Sequence, residues 1–154
     1  MKIKQRENIA QLILRVALGL GFIFPVLDRF GGLGPPGSKL AAWGTWQVFV
    51  AYTHTIIPFL PASLAAAVAT AGETIFGVCL IIGYQTRVMA IGAALLTLAF
   101  ALCMACFIGI YAPFIQYPVL VFTGGALLLS TLPDYRWSID QAGNKKRPME
   151  IGRQ

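Results

Sequence analysis

Two charged residues stand inside long apolar stretches of the sequence, and they are the first candidates for chemistry. Arg15 lies in the first apolar stretch and Glu73 in the second. A charged side chain costs a few kcal/mol in the hydrocarbon core of a membrane, so it indicates a functional position. At about 1.5 Å per helical residue, their depths differ by roughly 4 to 5 Å, which long side chains can span. We therefore predict that Arg15 and Glu73 form an ion pair, which either takes part in chemistry or only fixes the register of two helices.

A pair of cysteines offers a second kind of chemistry. Cys103 and Cys106 form a C-x-x-C motif in the third apolar stretch, and a helix places residues i and i+3 on one face. Such a pair suits thiol–disulfide exchange. Cysteine is also a common small apolar residue in helices, so simple packing is the alternative interpretation.

A third group of polar residues begins at the end of the first apolar stretch. Asp28 and Arg29 precede an irregular segment rich in glycine and proline, residues that favour turns. We expect Asp28 and Arg29 to form a polar site with Tyr52 and His54. The alternative for His54 is an interfacial histidine whose hydrogen bonds are satisfied.

The same segment contains Trp43 and Trp46, aromatic residues of the kind that lie at the level of lipid headgroups. They predict either a structured cap with an aromatic belt or a lid over a ligand pocket. The single histidine and the scattered carboxylates show no spacing typical of metal ligands, so no metal is expected.

Composition indicates the class of protein that must position these residues. Hydrophobic residues make up 57% of the 154 residues and charged residues 12%, whereas a soluble domain has about 25% charged residues. We therefore predict a single-domain, all-α membrane protein. The net charge of +6 lies mostly at the chain ends, which favours a role in membrane topology over nucleic-acid binding. The number of cysteines is odd and all lie in apolar stretches, so they do not indicate a disulfide-stapled secreted fold.

Hydropathy predicts four transmembrane helices, because a hydrocarbon core of about 30 Å requires about 20 apolar residues. The predicted spans cover residues 8–27, 62–83, 87–110 and 113–132. The first is interpreted as a span and not as a signal peptide, because it contains Arg15 and lacks a small-x-small cleavage site. A span that began after Pro118 would be short, so Pro118 is expected inside the first turns of the fourth span.

The remaining apolar segment, residues 42–60, is predicted to lie in the membrane interface, within an outer loop of residues 28–61. Its apolar and polar residues fall on opposite helical faces, which is typical of an interfacial helix. A fifth span would move Lys145–Arg147 outside, against the excess of basic residues in cytoplasmic segments. We therefore predict a four-helix transmembrane bundle with both termini, and the tail of residues 133–154, in the cytoplasm.

Several short motifs stand in a fixed order along the chain. Arg-x3-Gly-x2-Phe covers residues 15–22, Glu-x3-Gly covers 73–77, Gly-x2-Thr-Arg covers 83–87 and Trp-Ser-Ile-Asp covers 137–140. In this order and spacing they resemble the DoxX family of membrane proteins (the DoxX/DoxD-like group). The resemblance implies a small four-helix bundle in the cytoplasmic (inner) membrane of a bacterium.

The resemblance also implies a redox function. DoxD-type relatives form the membrane part of thiosulfate:quinone oxidoreductases, and DoxX-type relatives are linked to redox-stress and sulfur-metabolism complexes. It implies a membrane subunit of a quinone-linked oxidoreductase, in which Glu73, beside Arg15, holds or relays a proton next to a quinone headgroup. The candidates for binding the quinone are Asp28, Arg29, Trp43, Trp46, Tyr52 and His54.

Other functions remain open at this point. One is a non-catalytic scaffold that anchors a soluble redox enzyme through the basic tail, and another is a carrier of lipids or small molecules. The expected partners are the lipid bilayer and a soluble or membrane redox subunit, and no nucleic acid. Faces rich in glycine and alanine also permit a homo-oligomer.

Overall fold

A computed structural model describes the backbone of residues 2–115 and 117–144 and the side chains of residues 5–115 and 117–142. Every regular element in this part of the chain is an α-helix. The helices are α1 (Lys2–Arg29), α2 (Trp46–Ile56), α3 (Ala62–Ile82), α4 (Thr86–Phe107), α5 (Ala112–Ile115), α6 (Val119–Thr131) and α7 (Ile139–Asn144). The predicted basic cluster of Lys145, Lys146 and Arg147 lies outside the described residues.

Three of the described helices are long and apolar enough to cross a membrane. They are α1, from Gln5 onward, together with α3 and α4. The chain is therefore a membrane protein with several apolar helices. α6 is also apolar but has 13 residues. At about 1.5 Å per residue it is about 20 Å long, shorter than a hydrocarbon core of about 30 Å.

The prediction that Pro118 lies inside the first turns of one continuous helix is wrong. α5 ends at Ile115 and α6 begins at Val119, with Pro118 as its N-cap residue. Proline has no backbone N–H, and it disfavours helical geometry at the residue before it, here Tyr117. The segment predicted as the fourth span, 113–132, is therefore divided between two helices.

α1 and α3 run antiparallel and approach closely at two glycines. A Cβ atom on Gly19 would lie 2.9 Å from the carbonyl oxygen of Gly77, and a Cβ atom on Gly77 would lie 3.1 Å from that of Gly19. Small residues permit this kind of contact between membrane helices. The contact fixes the register of α1 against α3, and hence which side chains of the two helices meet.

The main core lies between α1, α3, α4 and α6. Its buried residues are Leu18, Phe22, Leu80, Ala90, Ala93, Ala94, Ala126 and Leu129. The alanines allow α4 and α6 to pack closely. A second cluster, formed by Trp43, Phe49, Ala66 and Ala69, packs α2 and the segment before it against α3.

The two ends of this group of helices are connected differently, and we name them by their connections. The turn end is where α3 is joined to α4, and the loop end is where residues 30–45 lie. At the turn end, α3 stops at Gly83, which has a φ of +71°. There Asp140 accepts hydrogen bonds from the backbone N–H groups of Gln85 (2.7 Å) and Thr86 (2.8 Å) and so caps α4. At the loop end, residues 30–45 connect α1 to α2, which packs on α3.

Candidate functional site

An ion pair connects the last residue of α1 to the middle of α3. Arg29 Nη2 lies 2.6 Å from Glu73 Oε2, and the two side chains are 2% and 7% exposed. Arg29 Nη1 also donates a hydrogen bond of 2.7 Å to the Thr70 hydroxyl, one turn from Glu73. A buried arginine is stabilised by such a combination of a counter-charge and hydrogen bonds.

The Arg29–Glu73 contact is close but is not a well-aligned hydrogen bond. Among the described residues, Glu73 Oε2 and Arg29 Nε have no hydrogen-bond partner, although both are buried. We regard the contact as electrostatic, because a separation of 2.6 Å between opposite charges is attractive at any angle. One donor of the guanidinium therefore remains free for another group.

Aromatic rings hold the guanidinium from the other side. Arg29 Cζ lies 3.6 Å from the centroid of the Phe49 ring and 5.4 Å from that of Trp43. A cation over a ring face is stabilised by the negative charge of the π system, the more so where water is excluded. Arg29 is thus held in one orientation by α3 and by the aromatic cluster around α2.

Asp28 orders the connection that leads to this aromatic cluster. Its carboxylate accepts hydrogen bonds from the backbone N–H groups of Ala42 (3.0 Å), Trp43 (2.8 Å) and Gly44 (3.3 Å). Gly44 has a φ of +68°, and a Cβ atom there would lie 2.5 Å from the backbone nitrogen of Pro36. Asp28 therefore has a structural role, and it sets the position of Trp43 beside Arg29.

A cavity of about 140 Å³ lies next to the ion pair. Arg29 and Glu73 form part of its wall, and α4 contributes the polar side chain of Thr97. The rest of the wall is largely apolar and includes Phe22 and Phe122, whose rings meet edge to face with centroids 5.8 Å apart. A concave apolar space with a few polar groups is the usual form of a small-molecule site.

Three aromatic residues of the cavity wall pack against one another, and we call them the aromatic lid: Trp43, Tyr52 and Tyr117. The rings of Trp43 and Tyr117 are stacked with centroids 5.4 Å apart, and those of Tyr52 and Tyr117 are 5.9 Å apart. Trp43 comes from the segment before α2, Tyr52 from α2 itself and Tyr117 from the break before α6. The break at Pro118 therefore contributes directly to the cavity.

The predicted pairing of Arg15 with Glu73 is wrong. Arg15 donates hydrogen bonds to the carbonyl oxygens of Trp137 (2.7 Å) and Arg136 (3.5 Å) at the turn end. A Cβ atom on Gly83 would lie 2.7 Å from Arg15 Nη1, and Gly83 follows Glu73 by about 15 Å of helix. The prediction failed because it compared depths measured from the ends of the two predicted spans, whereas the packing of α1 on α3 places Arg15 level with Gly83.

The other predicted residues fall into two groups. Arg29, Trp43 and Tyr52 line the cavity together. His54 is exposed on α2, and Trp46 lies outside the cavity wall, where its ring stacks on that of Phe30 at 5.8 Å. Of the expected polar group of Asp28, Arg29, Tyr52 and His54, only Arg29 and Tyr52 line the cavity.

Neither cysteine of the C-x-x-C motif lines the cavity. Cys103 is half-buried against a small apolar cluster that contains Ile56 and Met104, both of which do line it, and Cys106 is exposed. Their redox role stays a prediction that does not involve the cavity wall.

Sequence reasoning missed several residues of the site. Thr97 forms a hydrogen bond of 2.8 Å with Thr123 across α4 and α6, and both hydroxyls stand in otherwise apolar helices. A threonine within an apolar helix was therefore the sequence signal that could have indicated Thr97. Phe22 and Phe122 gave no such signal, because aromatic residues are common on every face of a membrane helix.

Comparison with known proteins supports the resemblance described above. The sequence model of the DoxX family matches residues 10–105 of the chain. That part contains α2, α3 and most of α1 and α4, and with them both Arg29 and Glu73. Searches of curated proteins and of solved structures gave no significant match.

Proposed function

The chain belongs to the DoxX family, and from that premise we propose that it is the membrane subunit of a quinone-linked oxidoreductase. In this proposal the cavity beside Arg29 and Glu73 holds the quinone headgroup. A partner subunit oxidises a thiol or a reduced sulfur compound and supplies the electrons.

One observation carries this proposal: an apolar cavity with a buried ion pair in its wall. Its volume of about 140 Å³ is close to that of an apolar protein cavity of about 150 Å³ that binds benzene. A single six-membered ring therefore fits. The Arg29–Glu73 pair gives the ring a polar contact inside otherwise apolar walls, which suits a headgroup with oxygen atoms.

Glu73 is the proposed proton-carrying group. Reduction of a quinone to a quinol takes up two electrons, which the partner subunit supplies, and two protons. Glu73, ionised beside Arg29 before the reaction, takes each proton from water and passes it to a ring oxygen as negative charge develops on the ring. After each transfer the carboxylate is again stabilised by Arg29, 2.6 Å away.

We propose that the turn end faces the cytoplasm of a bacterial inner membrane. Arg87 and Arg136 are exposed at that end, and basic residues are enriched on the cytoplasmic side. At the loop end Arg29 is neutralised by Glu73, which leaves Lys39 as the exposed cation between α1 and α2. With α5 and α6 acting together as the fourth span, α2 lies in the outer interface and both termini are cytoplasmic.

The test is quinone binding by the full-length protein in lipid nanodiscs. We expect short-chain ubiquinone or menaquinone to bind, and Ala69→Leu to weaken binding at least tenfold, because Ala69 is buried in the cavity wall. Ala67→Leu is the matched control, since Ala67 is exposed on the same helix. The absence of quinone binding by the unaltered protein would contradict the proposal. Equal losses in both folded variants would show that the quinone binds outside the cavity.

A further inference from the structure

We propose that the cavity selects a neutral ring that carries a carbonyl oxygen, and that the Tyr52 hydroxyl donates the hydrogen bond that recognises it. This inference rests on the proposed function, and it adds the chemical class of the ligand and the residue that recognises it. Four observations on the cavity wall support it.

The first observation concerns the Tyr52 hydroxyl. It is buried and has no hydrogen-bond partner among the described residues, although the Tyr52 side chain lines the cavity. Buried hydroxyl groups in proteins almost always have a partner, and leaving one unpaired is unfavourable. A ligand with an acceptor atom in the cavity would supply the missing partner.

The second observation concerns the guanidinium of Arg29. Nη1 binds the Thr70 hydroxyl and Nη2 contacts Glu73, whereas Nε is buried without a partner in the described part of the chain. An arginine Nε–H can only donate. Together with the Tyr52 hydroxyl, the residues of the wall therefore hold two buried, unused donors, and the complementary ligand is one that accepts hydrogen bonds when it reaches them.

The third observation is the charge of the wall. Arg29 is the basic and Glu73 the acidic side chain of the lining, and their opposite charges form an ion pair. An anion such as thiosulfate would enter an apolar space with no net positive charge to compensate its desolvation. The cavity is therefore not expected to bind a sulfur oxyanion.

The fourth observation is the protonation state of Tyr52, one residue of the aromatic lid. Burial raises the pKa of Tyr52 to about 12, and neighbouring Tyr117 adds to the effect. The Tyr52 phenol therefore keeps its proton at physiological pH and is available as a donor. Its ring packs against both the Trp43 and the Tyr117 ring, with centroids 5.9 Å from each, and this packing limits its movement.

The experiment compares two probes of the same shape. Tetramethyl-1,4-benzoquinone has two carbonyl oxygens, no ring position open to thiol addition, and no charge, whereas 1,2,4,5-tetramethylbenzene lacks the carbonyls. Binding of each is measured by calorimetry on the full-length protein in nanodiscs, with empty nanodiscs as the blank. Tyr52→Phe is the test variant, and Tyr84→Phe, an exposed tyrosine at the turn end, is the matched control.

We expect the unaltered protein to prefer the quinone over the hydrocarbon by about tenfold or more. Tyr52→Phe should lower the quinone affinity about tenfold and leave the hydrocarbon affinity unchanged, and Tyr84→Phe should change neither. Sodium thiosulfate in hundredfold excess should not displace the quinone. The thermal midpoint of ligand-free Tyr52→Phe should be no lower than that of the unaltered protein, because an unpaired hydroxyl is removed.

Each contrary result has a distinct meaning. If the unaltered protein binds no quinone, the proposed function itself fails. If it binds the quinone and Tyr52→Phe binds it equally well, only the donor role of Tyr52 is overturned. A loss of affinity for both probes in a folded Tyr52→Phe protein would show that Tyr52 shapes the cavity but does not recognise the carbonyl oxygen. Equal affinity of the unaltered protein for both probes, or displacement by thiosulfate, would refute the selection of a neutral carbonyl ring.

Discussion

Arg29 Nη2 and Glu73 Oε2 lie 2.6 Å apart, and this contact connects the end of α1 to the middle of α3 in a buried position. Each of the two charges would be unfavourable there without the other. The pair therefore has two consequences. It fixes the two helices against each other, and it gives the neighbouring cavity a polar wall without a net charge.

Replacing only one member of the Arg29–Glu73 pair should strongly destabilise the protein. We expect Arg29→Met or Glu73→Gln alone to destabilise the protein by about 3 to 5 kcal/mol, because each leaves a buried group without its partner. The double variant should lose less than the sum of the two. Thermal unfolding in detergent measures the coupling, and Arg6→Met with Glu7→Gln, both exposed, is the control cycle. Additive losses at Arg29 and Glu73 would disprove the coupling.

Replacing Asp28 should loosen the connection between α1 and α2. Its carboxylate accepts three backbone hydrogen bonds, and hydrogen bonds to a charged group contribute about 1.5 to 3 kcal/mol each. We expect Asp28→Ala to increase the rate of trypsin cleavage after the exposed Lys39 about tenfold or more, measured by mass spectrometry. Asp134→Ala, at an exposed aspartate, should leave the rate unchanged. An unchanged rate in Asp28→Ala would contradict the assigned role.

Replacing Arg15 should affect the turn end and not the cavity. Arg15 binds the carbonyl oxygens of Arg136 and Trp137, close to the residue that caps α4, Asp140. We expect Arg15→Met to speed amide hydrogen exchange of residues 134–142 and to leave quinone affinity unchanged. Arg136→Met is the control, because only the backbone carbonyl of Arg136 takes part in this contact. A loss of quinone affinity in a folded Arg15→Met protein would restore the original assignment of Arg15 to the site.

The raised pKa of Tyr52 predicts a loss of stability at high pH. The pKa is about 12 in the folded protein and about 10 in an unfolded chain. The folded state therefore holds this proton more tightly, and the stabilisation is present below pH 10 and is lost as the pH rises toward 12. We expect the thermal midpoint to fall more steeply between pH 10 and 12 in the unaltered protein than in Tyr52→Phe. If the thermal midpoints of the two proteins fall in parallel as the pH rises, Tyr52 ionises as readily in the folded protein as in the unfolded chain.

Much of the fold could be predicted from the sequence, because long apolar segments have few alternatives in a membrane. The stretches predicted at 62–83 and 87–110 correspond to α3 and α4. The break before α6 was also visible as two prolines, but the requirement for a span of about 20 residues was given more weight than proline chemistry. Here the local effect of Pro118 determined the helix boundary.

Some members of the site were predictable from the sequence, but their arrangement was not. Arg29, Glu73, Trp43 and Tyr52 were all candidates, since polar or aromatic residues near apolar spans are conspicuous in a sequence. The sequence assigned Glu73 the wrong partner, because hydropathy does not give the shift of one helix along another. That shift depends on the contact between Gly19 and Gly77, which forms only when the helices pack.

The sequence by itself determined that this chain forms apolar membrane helices, belongs to the DoxX family and carries a few charges inside its spans. Those properties follow from residue types and their order along one dimension. Only the tertiary structure decided that Arg29, and not Arg15, meets Glu73, and that a cavity of about 140 Å³ opens beside them. The physical reason is that ion pairs and cavities arise between elements, where the antiparallel register of α1 and α3 and the break before α6 set which atoms come within reach.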